Sequence, residues 1–153
     1  MPATIQPLSD ITRALPIQGW EEFLQEGEAY LKTGNGAHSR GKKAFTPEIL
    51  YNIIAMAIEK LTMAALMQRG ALPYNHTMAD LVEALEWVVP AEIADLKEQL
   101  LALDRHQENC DVDAFNIRPP TSEAIPAMLT LAGELQALVH RLVGTGNEGK
   151  DER

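Results

Sequence analysis

The chain has 153 residues, with 13 Lys and Arg against 22 Asp and Glu, a net charge of −9. That length fits one domain able to bury a core without a disulfide or metal staple. The acidic balance excludes a generally basic nucleic-acid binder, so any RNA site has to be a local patch. Alanine and leucine number 20 and 19 against 6 valines, and aromatics make up 5% of the chain. This argues against a sheet-dominated fold, because sheets favour branched and aromatic side chains.

Residues 1–16 carry Pro2, Pro7 and Pro16 and read as an extended N-terminal arm. No basic region followed by an apolar core marks a signal peptide there. A first helix is predicted from about Gly19 to Lys32, where Trp20, Phe23, Leu24, Gly27, Tyr30 and Leu31 recur at three- and four-residue steps. Residues 34–41, with three glycines in eight positions, predict a loop. Thr46 and Pro47 form an N-cap and first-turn pair, and Gly70 a stop, for a second helix. Within it, residues 49–67 hold only four polar side chains in 19: Asn52, Glu59, Lys60 and Thr62. The length nearly suits a bilayer, but Glu59 and Lys60 fall mid-span, where each charge costs at least ~2.5 kcal/mol. The segment therefore reads as a central buried helix, with Ile53, Ile54, Ile58, Leu61 and Ala65 inaccessible. Its 15 apolar residues exceed what a small domain needs and predict a two-fold dimer.

A third helix opens at Thr77, whose spacing to Asp80 suits a capping box. Met78, Leu81, Leu85 and Val88 form its apolar stripe. After Pro90, a further helix repeats the stepping at Ile93, Leu96, Leu100 and Leu103. Residues 110–120 lack periodicity. A last helix opens at Thr121 or Ser122, with Ile125, Met128, Leu129, Ala132, Leu135, Val139 and Leu142 on one face and Pro126 in its first turn. Residues 144–153 read as a disordered tail. The sum is an all-α chain of five helices in one antiparallel bundle.

Few residues offer chemistry. The single Cys110 forms no internal disulfide and suits a reducing, cytoplasmic setting. His106 and Cys110 are two ligands short of a zinc site. Asp111 and Asp113 lack the glycine and glutamate of a calcium loop, having Asn116 and Ser122 at those positions. No phosphate-cradling glycine loop or serine elbow is present, and nothing calls for a metal or cofactor. Lys32, Arg40, Lys42 and Lys43 do form a local basic cluster, with no Asp or Glu from 33 to 47. In an acidic chain, electrostatics makes this the place for a phosphate-bearing ligand or acidic partner, on a loop that is mobile until bound.

Residues 57–70, Ala-Ile-Glu-Lys-Leu-Thr-Met-Ala-Ala-Leu-Met-Gln-Arg-Gly, are followed by His76-Thr77-Met78 and later by Arg118-Pro119-Pro120-Thr121-Ser122-Glu123-Ala124. This resembles the HEPN family (higher eukaryotes and prokaryotes nucleotide-binding), whose members show a Glu-Lys helix, a Gly, a Pro and a "His-x-Leu" helix start. The likeness spans residues 17–143. It implies an antiparallel up-down four-helix bundle with an additional short helix, and commonly a homodimer. It also implies a nucleotide-containing ligand or a partner protein, such as a separate nucleotidyltransferase or an antitoxin. Some members are metal-independent, toxin-like ribonucleases with an Arg-x(4–6)-His motif at a dimer site. Arg69 and His76 match that count, and such a pair suits phosphate binding and proton transfer. However, they straddle an interhelical connection containing Gly70 and Pro73, where His76 is better placed to order the turn. The preferred expectation is a non-catalytic binding domain. A ribonuclease using Arg69 and His76, with RNA as substrate, and a purely structural interaction module are its alternatives.

Overall fold

The computed structural model describes residues 15–41, 43–106 and 120–148. Among them every regular element is helical. The order is α1 (Trp20–Ser39), α2 (Pro47–Gln68), α3 (Met78–Val88), α4 (Pro90–Ile93), α5 (Lys97–Ala102), a 3-10 turn (Leu103–His106) and α6 (Ile125–Glu148).

α2 is the centre. Its start is capped by the Thr46 side chain, which accepts from the Ile49 amide at 3.3 Å. It ends where Gly70 takes φ 75°, the left-handed conformation that terminates helices. Among the described residues it is the one helix long and apolar enough to cross a membrane, but two-thirds of its most apolar window is buried inside the fold. From Ala57 to Met67 its residues are buried except Glu59 and Lys60. Ile54, Ile58, Leu61 and Ala65 are almost inaccessible, as expected, whereas Ile53 is only half-buried. Ile53 sits at the edge of the α1 contact, beside Gly34.

α1 runs two turns beyond the expected end at Lys32, so residues 34–39 are helix and not loop. The glycine-rich composition misled because the small residues serve packing. Gly27, Leu31, Gly34 and Ala37 form the buried face of α1. A Cβ at Gly27 would lie 2.9 Å from Leu61 Cγ and 3.0 Å from the Leu61 amide nitrogen. One at Gly34 would touch Ile53, Ile54 and Leu129. A helical glycine costs about 1 kcal/mol in propensity, which the close approach of two long helices outweighs. The stop comes at Gly41, φ 59°, whose amide bonds back to the His38 carbonyl.

The contacts give the helix directions. Gly27 meets Leu61 and Gly34 meets Ile54, so α1 and α2 are antiparallel. Glu28 pairs with His140 and Gly34 approaches Leu129, so α6 is antiparallel to α1 as well. Leu50 and Ile125 line one cavity at one end, and Arg69 reaches Leu142 at the other, so α2 and α6 run the same way. Residues 77–106 return along α2, from Glu59 to Tyr51 near its start.

That return is a broken helix. Val89, before Pro90, is held out of helical geometry at φ −140°, ψ 60°. A second interruption at residues 94–96 separates α4 from α5, where one continuous helix was expected. The apolar steps survive the break, with Ile93, Leu96, Leu100 and Leu103 all buried. A tight turn bonding Leu96 N to Ile93 O preserves a three-residue step as well as an α-turn does, so the spacing does not separate the two. The 3-10 turn is then tied to α2 by the buried Tyr51 hydroxyl, which donates to the Leu103 carbonyl at 3.0 Å.

α6 buries the whole expected face from Ile125 to Leu142. Pro126 falls in its first turn, where a missing amide costs nothing. The helix continues to Glu148, past the expected tail start at Gly144, since extending a formed helix gains a hydrogen bond for each residue fixed.

Two sets of measurements check this packing. Gly27→Ala is expected to lower unfolding free energy by about 1–2 kcal/mol, because overpacking exceeds the gain in helix propensity. Gly36→Ala, where a Cβ meets nothing within 4 Å, is expected to raise it by about 0.5–1 kcal/mol. Urea denaturation reads both. Burial, and secondarily the Asp104 carboxylate, push the Tyr51 phenol well above its ordinary value of 10.0. The unfolded chain therefore loses this proton first, and stability falls as pH rises above 10, by up to ~1.4 kcal/mol per pH unit. Tyr51→Phe is expected to remove that slope while costing about 1 kcal/mol at neutral pH for the lost buried hydrogen bond.

Candidate functional site

The Arg69–His76 segment connects α2 to α3, and both side chains are engaged. Arg69 Nη2 donates to the Leu142 carbonyl of α6 at 3.3 Å. Its Nε is buried without a partner. His76 Nδ1 lies 2.6 Å from Glu59 Oε1 and fastens the connection to the middle of α2. Thr77 then caps α3, accepting from the Asp80 amide at 3.1 Å and donating to Asp80 Oδ2 at 2.8 Å. Arg69 is thus directed at α6 and His76 at α2. These contacts build a turn, which is the role the spacing assigns to His76. Glu59 and Lys60 do bond across the fold: Lys60 Nζ is 2.9 Å from Glu26 Oε2 and 4.5 Å from the centroid of the Phe23 ring.

The basic cluster is distributed differently from the expectation. It does not sit on one mobile loop, because Lys32 lies within α1 and Arg40 closes that helix. Eight residue steps along the helix separate these two cations by about 12 Å along the axis. Lys32 opens onto a groove of about 470 Å³ between α1 and α6 that it shares with Glu28. An anion entering there meets a carboxylate as well as the ammonium. Arg40 and Lys43 are exposed on the connection to α2. Lys42 lies outside the described residues, as do Cys110, Asp111, Asp113 and Arg118. Among the described residues no three His, Cys, Asp or Glu side chains are grouped to hold a metal.

A third locus escaped the sequence reading. Leu72 and Tyr74 on the α2–α3 connection and Trp87 on α3 are 61%, 91% and 84% exposed. They line one open cavity of about 360 Å³ together with Asp80, Glu83 and Ala84. The register of α3 explains it. Met78, Leu81, Val82 and Leu85 face the core. Asp80, Ala84 and Trp87, four and three residues apart, fall on another face. The signal in the sequence is a tryptophan about half a turn away from the apolar stripe that starts at Met78. The surplus apolar surface on α2 that suggested a dimer is mostly covered by its own chain, with Ile49 exposed and Ile53 and Met56 half-buried.

No family model matches the chain, and no curated protein or solved structure matches it.

The His76–Glu59 contact is exposed on the histidine side, where such pairs contribute about 0–1 kcal/mol. His76→Ala is expected to lower unfolding free energy by up to about 1 kcal/mol and to leave RNA in contact with the purified protein as intact as the wild type leaves it. Cleavage by the wild type that this substitution abolishes without destabilisation contradicts the structural role.

Proposed function

We propose that the chain is a non-catalytic helical binding module whose task is to hold a partner protein. The observation that carries this is the cavity edged by Leu72, Tyr74 and Trp87, three large apolar side chains left in solvent on one patch. Aromatic side chains bury 150–250 Å² each when covered, and tryptophan and tyrosine lead among residues that anchor protein interfaces. Leu15, Tyr30 and Ile49 are exposed too, but none of them lines this cavity, and three such side chains around one cavity support reading it as a contact surface.

The HEPN resemblance is compatible with this reading. In that light the three long helices and the broken return of residues 77–106 correspond to an up-down four-helix bundle with a short additional helix. The implied homodimer and the implied nucleotidyltransferase or antitoxin partner are proposals resting on the resemblance. A nucleotide ligand at Lys32, Arg40, Lys42 and Lys43 is the less favoured site, given Glu28 in the Lys32 groove. The ribonuclease reading is weakened by the engagement of Arg69 with Leu142 and of His76 with Glu59.

The test is site-specific crosslinking in the source cells. A photoreactive phenylalanine replaces Trp87 in one variant and the exposed Thr33 of α1 in another. A discrete adduct with a different protein is expected from position 87 and not from position 33. Identical patterns from the two positions, or no adduct at 87, contradict the proposal.

A further inference from the structure

We propose that the Trp87 patch takes a partner segment in which a lysine or arginine is flanked by apolar side chains, the cation lodging between the aromatic rings and the carboxylates of Asp80 and Glu83. The inference rests on the partner-binding reading above and names the chemistry of that partner.

Two features of the patch require different things of an occupant. Leu72, Tyr74 and Trp87 offer apolar area. Asp80 and Glu83 line the same cavity, and among the described residues no basic side chain lines it with them. Glu86, next to Trp87 in sequence, is instead paired with Lys97 at 3.0 Å. A purely apolar occupant would strip water from Asp80 and Glu83 without replacing it, which is costly for charged groups. An anionic occupant would be repelled by them and by a chain of net charge −9. A cation flanked by apolar groups satisfies both halves. Its alkyl stem covers the rings while its charged end reaches the carboxylates.

The fold already uses this chemistry on itself. Lys60 is held by the Phe23 ring face and the Glu26 carboxylate together. The α3 patch carries the same two components, aromatic ring and carboxylate, without a lysine of its own among the residues lining it. Binding of a partner cation repeats between two chains what α1 and α2 do within one. Asp80 is fixed in place by its bond from Thr77, so one of the two carboxylates is already oriented.

The probe is a fluorescently labelled, amidated hexapeptide alternating leucine and lysine, read by anisotropy against the full chain. A matched peptide with glutamine for lysine is the comparison. Saturable binding of the lysine peptide is expected, at least about tenfold tighter than the glutamine peptide, as for loss of a charge-assisted contact. Glu83→Gln and Trp87→Ala should each weaken it several-fold, Glu83→Lys should abolish it, and added salt should weaken it. Circular dichroism confirms that each variant is folded; Glu83 is exposed on α3, so its replacement leaves the core intact. Equal affinity for the two peptides overturns the cation inference. So does lysine-peptide binding that ignores both Glu83→Gln and Trp87→Ala, which reports only the overall negative charge. Absence of any binding also overturns it. In each of these cases a crosslink specific to position 87 leaves the partner-binding reading standing, whereas its absence removes both.

Discussion

The contact between Gly27 of α1 and Leu61 of α2 is the constraint on which the arrangement depends. A Cβ at position 27 would meet the Leu61 side chain and backbone at about 3 Å, so the two helices approach as closely as a side-chain-free position allows. With α1 pressed this near, Ile58 and Leu61 are fully covered. Gly34, further along the same face, then brings α1 against both α2 and Leu129 of α6. Close packing gains many small dispersion contacts, and it explains why glycines, costly to a helix in isolation, occupy its buried stripe.

From that contact the rest of the molecule follows. α2 becomes the axis, α1 and α6 cover two of its sides, and the broken segment from Thr77 to His106 closes another. The closing segment is held by polar ties at both ends: His76 to Glu59 where it departs and Tyr51 to Leu103 where it arrives. With α3 committed to the core through Met78, Leu81, Val82 and Leu85, its remaining faces turn to solvent. Trp87 stands on one of them, beside the connection that presents Leu72 and Tyr74. The patch proposed to bind a partner is thus a product of how α3 is seated, beside a connection tied down by hydrogen bonds at His76 and Thr77.

The basic residues illustrate how charge read along a chain differs from charge in space. Lys32, Arg40 and Lys43 are near one another in sequence, but a helix separates the first two and places Glu28 beside Lys32. In the sequence Asp80 stands out only as a capping partner of Thr77, and Glu83 not at all. In the fold they edge a cavity with two exposed aromatic rings, which gives them a partner chemistry that counting does not.

The sequence by itself determined the helical class, the start and stop of α2, the cap of α3 and nearly all of the core. Each depends on local chemistry: a threonine oxygen for free amides, a glycine for positive φ, and apolar residues returning every three or four positions. Only the tertiary structure decided that residues 34–39 are helical, that residues 94–96 interrupt a regular stripe, and that Trp87 remains in solvent. Glycine signals a loop when a chain is read alone, because its propensity is local. Whether Gly34 instead admits neighbouring helices depends on Ile53, Ile54 and Leu129, 19 or more residues away. The break at 94–96 is silent because a 3-10 turn keeps the same three-residue step. The exposure of Trp87 is silent because burial is a property of the packed assembly: the stripe from Met78 to Leu85 names the face of α3 that the core claims, but not whether another element covers the opposite face.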